Sequence, residues 1–385
     1  MGKKIILAVA GAGKTYYICH NIDPNKKNLI LAFTHENIKN IRKELCDCFH
    51  GHIPDNTSVM TFHAFLFRIL IRPYEPSIFS KFDTPLIKTN GVYMGEVPKQ
   101  SILCKNGKYR PNPKYYKVES INHFLNEGKQ YYCPLMSDLL MRLKPKNKKE
   151  FNRLGYILKS INIFYDSVYI DEFQDFREQD YSLLMEMANA ANDVILVGDY
   201  YQHSVTAQSN TGIPFKKNKK SIAYAEFIRN MQSQGFQVDT STLKLSRRCS
   251  DKVCDFVRRK LEININGNHE TGEVIVLNSQ YEKDKTRIKE LLKDDTVTKL
   301  VYNNSNKYSG NYINWSYSKG DTFENICVIL TDSTSSITEE KWKCDLTGST
   351  KNKLYVALTR ARNNVYLISN HDFKDCFINT DYNNN

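Results

Sequence analysis

The sequence predicts an α/β fold built on doubly wound parallel sheets. Short apolar runs of the length of buried parallel strands recur along the 385 residues. Helical patterns separate several of these runs, and strands that alternate with helices are typical of parallel sheets. The predicted strands are 5–10, 29–33, 168–171, 194–197, 273–277, 299–302, 326–330 and 365–368. The predicted helices between them include 37–48, 178–191 and 351–362.

Composition narrows the class of protein. Lys and Arg number 54 against 42 Asp and Glu, a net charge of +12 that favours a polyanionic partner such as nucleic acid. Hydrophobic residues make up 41% and charged residues 25%, which argues against wholesale disorder. No apolar run approaches the roughly 20 residues of a membrane-spanning helix, and the ten cysteines lack zinc-ligand spacing. We therefore expect a cytoplasmic protein without a membrane partner.

One stretch, residues 66–155, departs from the α/β pattern. It holds eight of the eleven prolines and few strand-like runs, and it carries 17 Lys and Arg against 7 Asp and Glu. We predict a basic, mainly helical or irregular subdomain inserted into a first α/β domain. That first domain then comprises 1–65 and 156–242, and a second α/β domain comprises 243–385.

A phosphate-binding loop is predicted at residues 8–15, which read Ala-Val-Ala-Gly-Ala-Gly-Lys-Thr between a strand and a helix. Small residues allow backbone N–H groups to curl around phosphate oxygens. Lys14 would then reach the β- and γ-phosphates, and the Thr15 hydroxyl would be a ligand of Mg²⁺. The predicted nucleotide-binding residues of this segment are Ala10, Gly11, Ala12, Gly13, Lys14, Thr15 and Tyr16.

Two later strand ends carry polar groups suited to the same chemistry. Asp171 ends the strand 168–171 and suits a second Mg²⁺ ligand, and Glu172 is placed to orient or deprotonate an attacking water. The alternative is an acidic helix start, since carboxylates favour helix N-termini. Gln202, which follows the strand 194–197, is predicted to sense the γ-phosphate.

Eight segments in order resemble the motifs of a UvrD/Rep-like superfamily 1 DNA helicase. They are residues 8–15, 32–37, 61–65, 171–175, 198–202, 245–250, 318–324 and 355–362, which are similar to motifs I, Ia, Ib, II, III, IV, V and VI. The resemblance implies two RecA-like domains that bind ATP and Mg²⁺ between them. Arg248 and Arg360 would contact the γ-phosphate as arginine fingers, and Arg247 and Gly320 would lie at the nucleotide.

The resemblance also implies a single-stranded DNA path. Its predicted residues are Phe33, Thr34, Phe62, His63, Lys319 and Thr322. For Phe33 and Phe62 the alternative is simple core packing. An aromatic ring on the path would stack on a base.

Three of the departures from the family pattern bear most on the expected function. Arg247 replaces the Tyr expected to stack on the base, and residues 203–208 lack the expected aromatic and Arg after Gln202. Only 66 residues run from Ser250 to Trp315, too few for the large insertion common in this family, so we expect a compact form.

The expected activity is ATP-dependent movement along single-stranded DNA or a tailed duplex with 3′→5′ polarity. One alternative is an NTP-hydrolysing sensor or regulatory subunit that controls a partner nuclease, in DNA repair or phage defence, without unwinding. Another is an RNA-directed helicase.

Overall fold

A computed structural model of the chain describes residues 2–104, 107–203, 212–218, 220–346 and 348–377. The segment after Gln202 that lacks the aromatic residue and the Arg of the family pattern is mostly residues 204–208, which lie outside these ranges. The strands are β1 (Lys3–Leu7), β2 (Asn28–Ala32), β3 (Thr57–Thr61), β4 (Val92–Tyr93), β5 (Ser101–Leu103), β6 (Tyr109–Pro111), β7 (Tyr131–Tyr132), β8 (Ser167–Asp171), β9 (Val194–Gly198), β10 (Lys216–Lys217), β11 (Lys220–Ser221), β12 (Gln237–Asp239), β13 (Val274–Leu277), β14 (Thr298–Val301), β15 (Tyr312–Asn314), β16 (Ile326–Ile329) and β17 (Val365–Ile368).

The helices follow the same alternation. They are α1 (Lys14–Asn21), α2 (His35–Cys48), α3 (Phe62–Phe65), α4 (Glu75–Lys81), α5 (Met136–Met141), α6 (Arg153–Lys159), α7 (Ile161–Phe164), α8 (Glu178–Ala190), α9 (Tyr224–Ser233), α10 (Asp251–Leu261), α11 (Glu282–Lys293), α12 (Gly348–Leu358) and α13 (Asn370–Cys376). A π-helical stretch, Leu66–Ile71, follows α3 directly. Among the described residues, no helix combines the length and apolar composition that crossing a membrane requires.

Two sheets confirm the predicted fold class. A six-stranded sheet has the order β12-β1-β9-β8-β2-β3, in which β2 runs parallel to both β3 and β8. A five-stranded sheet has the order β13-β17-β16-β14-β15, and all its pairings are parallel. Strands β2, β8, β14, β16 and β17 are buried along their whole length, as parallel strands covered on both faces must be.

The chain divides into two compact units. The first unit comprises Met1–Lys4, Ile18–Glu172 and Phe176–Leu196, and the second comprises Ile5–Tyr17, Phe173–Asp175 and Val197–Asn385. The second unit therefore holds the predicted phosphate loop together with the later motifs. The domain boundaries predicted from sequence stay a prediction.

The described part of the predicted insertion, residues 66–104 and 107–155, has little regular structure. Beside its short helices it contains two small sheets, in which β4 pairs with β7 in parallel and β5 pairs with β6 in antiparallel fashion. Its apolar residues still form a core around α5, where Leu139 and Leu140 are fully buried. The hairpin of β5 and β6 is mostly exposed.

Candidate functional site

The loop between β1 and α1 has the backbone that a phosphate-binding turn needs. Gly11 and Gly13 have φ values of 72° and 82°, in the left-handed region that favours glycine. A Cβ on Gly11 would lie 2.6 Å from Arg248 Cβ and 2.7 Å from Ser246 Oγ, so this position also lacks space for a side chain. The first turn of α1 contains no acidic residue, which leaves its positive end available to an anion.

Backbone hydrogen bonds within the second unit hold the loop in place. Ala8 N donates to Gly198 O at 2.8 Å, and Val9 N donates to Leu243 O at 2.9 Å. From the other direction, Arg247 N donates to Gly11 O at 2.9 Å. The predicted motif I is therefore bonded to the segments that resemble motifs III and IV.

Tyr355 on α12 joins three motifs through one hydroxyl. Its Oη accepts a hydrogen bond from Ala10 N at 2.7 Å and donates to Asp199 Oδ2 at 3.1 Å. Burial and then the negative charge of Asp199 hold the pKa of Tyr355 well above its usual value, so the hydroxyl keeps its proton. Sequence reasoning assigned no role to Tyr355 or Asp199, because neither has one in the linear motif pattern.

Motif III is braced by Gln174 of motif II. Gln174 Oε1 accepts from Asp199 N at 3.0 Å, and a Cβ on Gly198 would overlap that oxygen. Asp199 Oδ1 in turn accepts from Tyr201 N at 2.9 Å and starts a 3₁₀ turn over Tyr200–Gln202. Gln202, the predicted γ-phosphate sensor, is thus buried in a fixed turn.

The two predicted arginine fingers have different surroundings. Arg360 is 1% exposed, and its guanidinium donates to Val356 O at 2.9 Å, Asp321 O at 3.3 Å and Ser318 O at 3.4 Å. Burial and then the positive charge of Arg248 lower the pKa of Arg360 to about 10. Arg248 is half-buried, and its Nη1 donates to Thr359 O at 3.2 Å. Arg360 therefore fastens the motif V loop, while Arg248 is the more accessible of the two.

Arg247, expected to lie at the base, is close to Tyr16, one of the predicted nucleotide-binding residues. The Arg247 guanidinium carbon lies 4.4 Å from the centre of the Tyr16 ring, and both side chains are exposed. This cation–π pair presents flat faces at the start of α1. Gly320 lies in the exposed motif V turn with a φ of 97°, and a Cβ added there would have no heavy atom within 4 Å.

Lys319 and Thr322 were predicted to contact the nucleic-acid backbone. Lys319 Nζ lies 2.5 Å from Asp175 Oδ1, which joins motif V to motif II by an ion pair. Both side chains of this pair are largely shielded, so the pair is stronger than an exposed one. Thr322 is exposed.

In the first unit, the acidic pair follows β8. Asp171 is 1% exposed, and its Oδ1 accepts from Glu172 N at 2.9 Å. Glu172 has a φ of 53°, a conformation that non-glycine residues rarely adopt. Strain of this kind persists only where the surroundings impose it, and it is concentrated at functional positions.

An aromatic cluster in the first unit contains the predicted DNA contacts. Phe33 is half-buried, with its ring 5.1 Å from that of His63 and 5.5 Å from that of Phe176, both edge-on. Phe62 is fully buried, with its ring 4.8 Å from that of Phe176, which fits the core-packing alternative. Thr34 Oγ1 accepts from Asn37 N at 3.1 Å and caps α2.

His63 faces a carboxylate behind this cluster. Burial lowers the pKa of His63 below its usual value, against the opposing attraction of Asp180. Burial raises the pKa of Asp180, and Ser137 Oγ donates to Asp180 Oδ1 at 2.5 Å. The rings of Phe33 and Phe62 also lie edge-on to His63, at 5.1 and 5.8 Å, and hold it within the cluster.

Comparison with known proteins supports a helicase core. Residues 2–208 match the family described as an AAA domain, and residues 117–369 match the family described as a viral superfamily 1 RNA helicase core domain. No curated protein matches the chain.

Similar solved structures include the PRRSV helicase, at 13% identity and a TM-score of 0.43. That match covers 99% of this chain and 54% of the other chain. Another is arterivirus nonstructural protein 10 (helicase) in complex with DNA, at 13% identity and a TM-score of 0.42, with 95% and 60% covered. This chain thus spans only 54% to 60% of the length of these two structures. Because each of the two family matches covers more than half of the sequence, the chain belongs to the superfamily 1 helicases, with an AAA domain and a viral superfamily 1 helicase core domain.

Proposed function

We propose that this chain is an ATP-dependent helicase or translocase that acts on single-stranded nucleic acid. The observation that carries the proposal is the bonded network around the phosphate loop. Within the second unit, hydrogen bonds join Ala10 to Tyr355, Gly11 to Arg247 and Val9 to Leu243. A loop connected in this way to later motifs is suited to pass a change at the nucleotide to the rest of the core.

Lys14 and Thr15 open α1 directly after this loop and would hold the nucleotide. The loop fits a polyphosphate, because its two left-handed glycines let it bend and the α1 N-terminus lacks acidic side chains. Thr15 and Asp171 would be the Mg²⁺ ligands, since hydroxyl and carboxylate oxygens suit this ion. Mg²⁺ supplies positive charge at the β- and γ-phosphates when it is bound.

Glu172 and Gln202 would act on the attacking water and the γ-phosphate. The positive φ of Glu172, directly after β8, is a strained conformation of the kind that is concentrated at functional positions. Gln202 follows Asp199 in a fixed 3₁₀ turn, so any shift at Tyr355 or Asp199 moves the turn that carries it.

Arg248 and Arg360 would neutralise charge on the transferred phosphate. Planar guanidinium groups match three phosphate oxygens well. Arg248 is the stronger candidate for direct contact because it is only half-buried, beside the phosphate loop. Arg360 is buried and already donates to two motif V carbonyls, so it would add its charge from a fixed position.

Arg247 and Tyr16 would form the base platform. An arginine face stacks on a base with less selectivity than an aromatic ring, so GTP is expected to compete with ATP. Gly320 would leave room beside the nucleotide, since a Cβ added to it would meet no heavy atom of the described residues within 4 Å.

Phe33, Thr34 and His63 in the first unit, and Lys319 and Thr322 in the second, would contact the nucleic acid. Phe33 is only half-buried and so keeps surface for base contact, whereas fully buried Phe62 would support the cluster through its contact with Phe176. We propose single-stranded DNA, with UvrD/Rep-like 3′→5′ movement, as the first candidate substrate. RNA is the second candidate, because the match over residues 117–369 is to a family of viral RNA helicases.

A strand-separation assay tests the proposal against the sensor alternative. Duplexes with a 3′ or a 5′ single-stranded tail, in DNA and in RNA, are incubated with the chain, ATP and Mg²⁺. We expect ATP-dependent separation of the 3′-tailed DNA duplex by the wild type and none by Lys14→Ala. Hydrolysis without separation of any duplex would favour the sensor that controls a partner nuclease.

A further inference from the structure

The segment 97–118 of the first unit has an unusual charge pattern. Its 22 residues contain six Lys or Arg and no Asp or Glu. Elsewhere, exposed cations commonly have carboxylate partners: Arg258 and Arg259 pair with Asp255, and Arg287 pairs with Glu290. Within 97–118, Lys114 pairs with Glu127, at 3.1 Å between two exposed groups.

The segment is built as a hairpin. β5 and β6 pair with Ser101 opposite Pro111, Ile102 opposite Arg110 and Leu103 opposite Tyr109. The turn is closed by hydrogen bonds from Cys104 N to Lys108 O at 2.8 Å and from Gly107 N to Cys104 O at 2.9 Å. At the base of the hairpin, Asn112 Nδ2 donates to Lys99 O at 2.9 Å. The two strands are thus held in a defined register.

The register places different chemistry on the two faces. Cross-strand partners share a face of an antiparallel pair, so Leu103 and Tyr109 lie together on one side, and Arg110 lies beside Ile102 on the other. Tyr109 is 72% exposed and Leu103 is 62% exposed. Side chains as exposed as these add little to the stability of a two-stranded hairpin. Stability of the fold therefore does not explain why Leu103 and Tyr109 stand here.

From these observations we infer that the hairpin, in its described residues 99–104 and 107–117, is a nucleic-acid-binding arm. The cations would neutralise phosphates along a strand, and the Tyr109 ring would stack on a base. This composition fits a polyanionic partner. A segment with six cations and no carboxylate repels basic surfaces, and it attracts phosphate groups that come within about a Debye length of it. The inference deepens the proposed function and rests on it.

Two matched pairs of variants test the arm. The first pair compares Tyr109→Ser with Tyr281→Ser, a tyrosine 66% exposed in the second unit. The second pair compares the triple variant Lys99→Ala, Arg110→Ala, Lys117→Ala with the triple variant Lys283→Ala, Lys289→Ala, Lys293→Ala on α11. All six of these cations are exposed, so each triple removes the same charge from the surface.

Binding of fluorescent oligo-dT and oligo-U, each about 20 nucleotides long so that several phosphates can be contacted at once, is measured with the full chain over a series of salt concentrations. We expect Tyr109→Ser to raise the Kd about fivefold or more, while Tyr281→Ser leaves it unchanged. The hairpin triple should reduce the slope of log K against log salt by about 2, since each lost phosphate contact on a single strand removes about 0.7. Unchanged melting temperatures show that the variants fold.

Equal Kd values and equal slopes for the hairpin variants and their controls would overturn the arm. If the wild type still hydrolyses ATP faster with nucleic acid in that case, the proposed function stands and only the arm fails. A wild type that binds neither oligonucleotide and shows no stimulated hydrolysis would overturn both. Binding of oligo-dT alone or oligo-U alone, with loss in the hairpin variants, supports the arm and identifies the strand it takes.

Discussion

The phosphate loop of the second unit and the basic hairpin of the first unit are opposite kinds of site. In the loop, the amides of Ala8, Val9 and Ala10 have defined acceptors at 2.7–2.9 Å from three distant segments. In the hairpin, strands β5 and β6 pair only with each other within the described residues, and Tyr109 and Arg110 are exposed.

The two sites therefore depend on different physical properties. A buried network fixes positions to fractions of an ångström, which catalysis requires, and loss of one atom there leaves partners unsatisfied. An exposed cationic arm works by charge and area, so its contribution is spread over several residues and depends on salt. Substitutions in the loop network should therefore have large and specific effects, and those in the hairpin small and graded ones.

The largest expected effect is that of Lys14→Ala. Removing the Lys14 ammonium, which we propose reaches the β- and γ-phosphates, should reduce ATP hydrolysis to background. Because Lys14 is the first residue of α1 and is only half-buried, the melting temperature should stay near that of the wild type. Phosphate release and thermal melting measure the two quantities, and turnover retained at the wild-type rate would show that the loop is not the phosphate site.

Next in size is the contrast between Arg248→Ala and Arg360→Ala. Arg248→Ala should lower turnover by about 10³-fold or more, as expected for an arginine finger, with little change in stability. Arg360→Ala should lower turnover and also the free energy of unfolding by about 2–3 kcal/mol, since three backbone carbonyls each lose one hydrogen-bond donor. Chemical denaturation and steady-state kinetics separate the two effects.

Arg362→Ala is the matched control for both arginines, because Arg362 is 63% exposed and pairs loosely with Glu324 at 3.7 Å. It should leave turnover and stability unchanged. A normal turnover for Arg248→Ala would remove that residue from the chemistry and leave Arg360 as the candidate finger.

A smaller effect is expected from Tyr355→Phe, which deletes one oxygen atom. Ala10 N loses its acceptor and Asp199 Oδ2 loses a donor, so the free energy of unfolding should fall by about 1–3 kcal/mol. Because Ala10 belongs to the phosphate loop, the KM for ATP should rise several-fold as well. Tyr366→Phe on β17 is the control, and equal KM values for both variants would show that the hydroxyl does not position the loop.

The core strands could be predicted because short, continuous apolar runs between helical patterns fit few structures other than buried strands. All eight predicted strands are present, with the first ending at Leu7 rather than at residue 10, since the left-handed glycines of the loop need irregular backbone ahead of them. In the two large sheets, β3, β12 and β15 were not predicted, because runs such as Thr57–Thr61 are only partly buried and mix polar with apolar residues.

The site divides in a similar way. Residues whose chemistry is tied to a motif, such as Gly11, Gly13 and Arg248, were predicted and lie around one loop in the second unit. The roles of Tyr355 and Gln174 were not, because they come from hydrogen bonds to residues 156 and 25 positions away in the chain. The assignment of Phe62 illustrates the reverse problem, since a buried ring and a base-stacking ring look alike in sequence.

The proposed function requires that nucleotide hydrolysis by this chain is coupled to nucleic acid, and a hydrolysis assay measures this coupling. Phosphate release from ATP is followed with Mg²⁺ for the wild type and Lys14→Ala, in the presence and absence of single-stranded DNA or RNA. We predict hydrolysis that rises several-fold with at least one of the two strands in the wild type and is absent in the variant. Equal rates with and without either strand would show that hydrolysis is not coupled to nucleic acid. Equal rates for the wild type and Lys14→Ala would show that the loop is not the site of hydrolysis.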